Sequence, residues 1–200
     1  MSSFIPKVYT EDTDKDTIKS LTPVTARKNL RVRVLETLGV LTVDKTLEIK
    51  KDGKLNAKGA ITIAENLVCN GTADLEGAIK VSGEIIGGNV KVIGHLETTA
   101  VNVNKITAKG SFLVKNGIRA EESITLIIKL RSEFSIGGLI EAPVVTLKAR
   151  SSLGRSIVKL MGIKPKSVLE LKDIRIKARK LQLESVRVEG NLEVDEIEEL

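Results

Sequence analysis

The sequence predicts an all-β chain wound as a single-stranded parallel β-helix, a solenoid with a flexible N-terminal arm and one short inserted amphipathic helix. Three observations predict it: a six-residue register of glycines, a period-two alternation of aliphatic residues between Leu30 and Val194, and very few aromatic side chains.

Gly53, Gly59, Gly71, Gly77 and Gly83 share the six-residue register, which Glu65 alone interrupts. Aligned on it, Leu55 falls with Ala57, Ile61 with Ile63, Leu67 with Cys69, Ala73 with Leu75, and Ile79 with Val81. Alternation turns both apolar side chains of each pair to one face of a short strand. The glycine that follows allows the tight or positive-φ backbone of a corner. Three such strokes close one turn of roughly eighteen residues.

The alternation continues with slips of register through Val90 and Val92, Val101 and Val103, Phe112 and Val114, Ile124 to Ile128, and Val145 to Ala149. It resumes at Ile174, Ile176 and Ala178 and runs on to Leu192 and Val194. An antiparallel sandwich alternates too, but its turns come about every 8 to 12 residues and carry hairpin signals. Only Asp52-Gly53 and Asn70-Gly71 look like hairpin turns here.

Aromatics are 2% of the chain (Phe4, Tyr9, Phe112 and Phe134) against 42% apolar residues overall, so Leu, Ile, Val and Ala must fill any core. That suits a narrow, layered interior. The single Cys69 can form neither an internal disulfide nor a cysteine metal cluster, and occupies an inward position where a small buried side chain is expected. No signal sequence and no long apolar run is present, so the expectation is a soluble, cytoplasmic protein.

Five segments follow. Residues 1–28 are polar, broken by Pro6 and Pro23, and read as a flexible arm; 29–150 form the β-helix core. In 151–167, Leu153, Ile157, Leu160 and Met161 recur at helical spacing before Gly162 and Pro165, predicting a basic amphipathic helix. Residues 168–197 read as further rungs, and 198–200 as an acidic end.

Gly77-Ala78-Ile79-Lys80-Val81-Ser82-Gly83 and then Val90-Lys91-Val92-Ile93-Gly94 resemble the Gly-x-Ile-x-Val-x-Gly cadence of bactofilins, polymer-forming cytoskeletal proteins; the resemblance spans roughly residues 47 to 149. It implies a right-handed β-helix with loose tails that polymerises end to end without nucleotide, often beside a membrane that the N-terminal tail touches. Family members also use an aromatic near one end in polymerisation. Phe134 is the nearest by type, although rungs follow it and a core-filling role is expected. The rungs after residue 168 make this chain longer than the usual family core.

Enzymatic readings are disfavoured. Six-residue β-repeats also build acyltransferases and carbonic anhydrases, but a three-histidine zinc site cannot be assembled from His95, the only histidine, and His95 follows Gly94 at an expected corner, where an exposed turn residue is expected over a general base. Neither Gly87-Gly88 nor Gly137-Gly138 carries a phosphate-loop or dinucleotide fingerprint. No catalytic, cofactor or metal residue is therefore expected. Asn102 and Asn104 are expected to stack in a polar ladder with Asn89 or Asn116.

The net charge is +6, and residues 148 to 180 hold eleven Lys or Arg against Glu170 and Asp173. Arg150, Arg155, Lys159, Lys164, Lys166, Arg175, Lys177 and Arg179, together with the apolar Phe4 and Ile5, are the expected surface for an anionic membrane or another polyanion. Nucleic acid ranks below lipid because no aromatic platform lies near the basic segment. A solenoid must cap its open ends or use them, so the main expected partner is a second copy. Val32 and Val34 are expected at one end and Leu192 and Val194 at the other. The alternative is a non-polymerising adaptor that binds through its basic surface.

Overall fold

A computed structural model describes residues 5–130, 132–150 and 168–200. They form one parallel sheet of thirteen strands coiled into a solenoid of about ten turns, with no helix among the described residues. The amphipathic helix expected over 151–167 lies outside them.

Each turn lays one stroke on each of three faces. The first face stacks Lys7, Val24, Leu41, Ile61 and Ile79 in register; the second stacks Thr13, Leu30, Leu47 and Leu67; the third stacks Ile18, Leu35, Leu55 and Ala73. The inward residues of the hexad alignment, from Leu55 and Ala57 to Ile79 and Val81, are all buried. Period two thus sets the inward face, and stacking of like aliphatics builds one continuous core along the axis.

Turn length varies, and bulges absorb the difference. The step is 17 residues at Lys7↔Val24, 20 at Leu41↔Ile61 and 22 at Phe112↔Phe134. Between Ile49 and Lys54 the ladder slips, and Asp52 takes a left-handed φ of 56° there. Asp52-Gly53, which has the sequence of a hairpin turn, is therefore a corner between parallel strokes. The step lengthens to 36 residues between Leu139 and Arg175, so the winding resumes in register across 151–167 and the rungs expected after residue 168 are present.

One corner is a column of glycines. Gly59 backs onto the Gly39 carbonyl, Gly77 onto Gly59, Gly94 onto Gly77 and Gly110 onto Gly94, and all but Gly39 hold positive φ. A side chain there would meet the backbone of the preceding turn.

Three expectations are corrected. Residues 7–26, expected as part of a mobile arm, form the strands Lys7–Tyr9, Thr13–Ser20 and Val24–Ala26, with Ile18, Val24 and Ala26 buried. The acidic end is not separate, because the strand Val186–Glu199 takes in Glu198 and Glu199. Asn102 forms no asparagine ladder; its side-chain amide donates to Glu84 Oε2 at 3.1 Å. Phe134 lies in register with Phe112, half-buried and edge to face at 6.2 Å and 84°, filling the core.

Candidate functional site: the two ends and the side groove

The two ends differ in chemistry. In the last turn the inward positions are Val186, Val188, Gly190, Leu192, Val194, Ile197 and Glu199, set by register with Leu169 to Leu183 of the turn before. Among the described residues nothing pairs with the outer edge of that strand. Val188, Leu192 and Val194 are consequently only half-buried, and Ile197 is 56% exposed. Around this apolar layer stand Glu189, Glu193, Asp195, Glu196 and Glu198. Lys180 meets Glu196 at 3.2 Å and Glu198 at 2.9 Å, and both carboxylates push the ammonium pKa up.

At the other end the first turn puts Lys7, Tyr9, Thr13, Lys15, Ile18 and Ser20 at the inward positions. Only Ile18 is fully buried, so the layer is mostly polar; burial pushes the Tyr9 hydroxyl pKa up. Ion pairs fasten this turn to the next. Arg33 donates to Asp16 at 2.6 and 2.9 Å and holds its carboxyl pKa down at about 2, while Asp14 pairs with Arg31 at 3.8 Å and with Lys50. Exposed pairs of this kind contribute little each and orient more than they stabilise.

Val32 and Val34 are therefore not at an end. Val32 is buried in the second turn, between Lys15 and Ile49. Val34 sits at a ladder slip and is half-buried, while Leu35 and Thr37 take the inward places. Leu192 and Val194 do lie on the terminal turn. Val188, legible in the sequence as the alternating partner of Val186, and Ile197, which the sequence did not single out, complete its apolar layer.

The basic residues are only partly gathered. Arg175, Lys177 and Arg179 are exposed on the strand Leu169–Glu184, alternating with buried Ile174, Ile176 and Ala178, and Arg150 is exposed at the end of Val144–Arg150. Phe4, Arg155, Lys159, Lys164 and Lys166 lie outside the described residues. Acid interleaves the strip: Glu141 takes Arg119 at 3.2 Å and Lys177 at 3.5 Å. These side chains edge a groove of about 940 Å³ parallel to the axis, in which Ala120, Ala142 and Ala178 are buried and Glu193 and Asp195 mark the C-terminal end.

A second surface was not foreseen beyond Ile5, which is 72% exposed. Val8, Leu21, Leu38 and Val40 are exposed beside it on the first two turns, where Thr22 Oγ1 donates to the Ile5 carbonyl at 3.0 Å and Val24 N to the Val40 carbonyl at 2.9 Å.

His95 shares a 2.8 Å hydrogen bond with Ser111 Oγ at a corner outside the groove. Cys69 is buried, which pushes its thiol pKa up and makes it a poor nucleophile. Among the described residues no group of three His, Cys, Asp or Glu could hold a metal ion, and no helix is long and apolar enough to cross a membrane. No family model, curated protein or solved structure matches the chain.

Proposed function

We propose that this protein is a structural scaffold, not an enzyme, that assembles end to end into filaments without nucleotide, as the bactofilins it resembles do. The observation that carries this reading is the last turn. It leaves a strand edge without a partner among the described residues and an apolar layer of Val188, Leu192, Val194 and Ile197 part-exposed. Stacking another turn on it pairs the backbone groups and covers the layer. The apolar corner of Ile5, Leu21 and Leu38 supports a cytoplasmic filament lying against a membrane surface.

Electron microscopy of purified protein without ATP or GTP tests the reading. Wild type should form filaments, and Leu192→Lys with Val194→Lys should leave small, folded particles. Wild type that stays monomeric at high concentration and physiological salt would overturn it. The adaptor reading takes second place because Glu141, Glu193 and Asp195 interrupt the basic strip.

A further inference from the structure

The column of glycines runs along one edge of the solenoid, between its third and first faces. Because each turn sits tightly on the one before, the side chains that flank the column project from a convex ridge. The chemistry of the ridge changes along its length. On the first turns it is apolar, with Leu21 and Leu38 one step apart before the column and Val40, Ala60 and Ala78 exposed just after it. Lys58 and Glu76 come next and neutralise each other at 3.0 Å. Beyond them Ile93, Lys109, Ile127 and Lys148 continue the same row, and Lys129 lies in register with Arg150 beside it. At roughly 4.8 Å a turn, the row from Leu21 to Lys148 is about 34 Å long.

Building on the reading of a filament that lies against a membrane, we infer that this whole ridge, not only its apolar corner, is presented to the bilayer. Lys109, Lys129 and Arg150 bind anionic lipid headgroups, while Leu21, Leu38 and Ile93 reach the acyl boundary. All six side chains are exposed. The three cations have no ion-pair partner among the described residues. Of the acids on the ridge, Glu76 is held by Lys58 and Glu184 by Lys148 at 3.0 Å, which leaves Glu133 against three free cations.

The shape selects the partner. A convex line of aliphatic and cationic side chains cannot enclose a peptide or a small molecule, but it matches a flat interface of headgroups over acyl chains. No exposed aromatic among the described residues stands on it to stack nucleic-acid bases. The ridge also separates the basic residues singled out in the sequence. Ile5 and Arg150 belong to it, whereas Arg175, Lys177 and Arg179 lie on the second face, which the ridge does not border. One flat membrane cannot touch both.

Co-sedimentation of the full chain with phosphatidylglycerol vesicles and with phosphatidylcholine vesicles at physiological salt tests this. Lys109→Glu with Lys129→Glu should weaken binding to phosphatidylglycerol at least about tenfold and leave phosphatidylcholine binding unchanged. Arg175→Glu with Arg179→Glu reverses as many charges on the second face and should weaken neither by more than about twofold. All four residues are exposed, so both variants should keep the wild-type circular dichroism spectrum. A polarity-sensitive fluorophore on Ile93→Cys should shift to the blue on phosphatidylglycerol vesicles, and the same label on Asn102→Cys, on the second face, should not; the native Cys69 is buried and silent.

Equal losses from the two charge reversals, or equal responses from the two labels, would overturn the ridge. Phosphatidylglycerol binding that survives Lys109→Glu with Lys129→Glu but is lost in Leu21→Asp with Leu38→Asp would confine the contact to the apolar corner and overturn it too. Wild type that forms filaments and ignores both vesicles would overturn the ridge and leave the filament standing. Wild type that binds vesicles as expected without forming filaments would do the reverse.

Discussion

Gly59 stacks on Gly39 so closely that a Cβ on Gly59 would lie 2.7 Å from the Gly39 carbonyl oxygen, and its φ of +117° disfavours any side chain. Gly59→Ala should therefore cost about 2 to 4 kcal/mol, from strain and displacement of the neighbouring turn. Gly39 has no such φ, and its added Cβ would make ordinary contact at 3.4 Å with Thr22, so Gly39→Ala should cost under about 1 kcal/mol. Thermal denaturation of the two variants checks the asymmetry; equal losses would refute the glycine column as the reason.

Ile79 and Val81 point inward and are buried, while Lys80 between them faces out and pairs with Glu97 at 2.9 Å. Ile79→Lys or Val81→Asp should unfold or aggregate the protein, because an unpaired charge in the aliphatic core costs several kcal/mol. Lys80→Ala should shift stability by less than about 0.5 kcal/mol, as exposed pairs contribute little. Three indistinguishable melting curves would contradict the inward face.

Much of the fold was legible because aliphatic alternation and corner glycines report directly on strokes and turns: Leu55 to Val81 fell on their observed faces. The first turn was not, because Lys7, Thr13, Lys15 and Ser20 occupy inward positions that elsewhere hold Leu, Ile, Val or Ala. An end layer borders solvent, so polarity there conceals a strand. Val34 was misplaced because the chain turns a corner between Val32 and Leu35, which makes Leu35 and Thr37 the next inward pair, and periodicity alone does not locate that change of phase. The exposed corner left a trace, since Leu21 and Leu38 recur at the 17-residue step of the first turns. It could be read only once that step was known.

Asp16 has its carboxyl pKa held at about 2 by the Arg33 hydrogen bond, below the ordinary value of about 3.9. A depressed folded-state pKa stabilises above the unfolded value, and that contribution is lost as pH falls through the folded one. The first turn should thus be more firmly docked in wild type than in Asp16→Asn above about pH 4, and the two should converge below about pH 2. Because the pair is exposed, the difference should be small and shrink with salt. Amide exchange of residues 13–20 reads it out; a difference that grows toward low pH would contradict this assignment.

If the apolar corner seats the filament on a membrane, Leu21→Asp with Leu38→Asp should abolish co-sedimentation with anionic vesicles. Arg175→Glu with Arg179→Glu should reduce it only at low salt. Binding that survives the first pair and vanishes with the second would move the membrane contact to the basic strip.

Continuation of the solenoid from one molecule into the next fixes the axial repeat of nucleotide-free assemblies, which electron micrographs measure. About ten turns at roughly 4.8 Å each give a subunit repeat of about 48 Å along an unbranched filament one solenoid wide. Particles of monomer size under all assembly conditions, or filaments whose repeat bears no relation to the length of the solenoid, would contradict it.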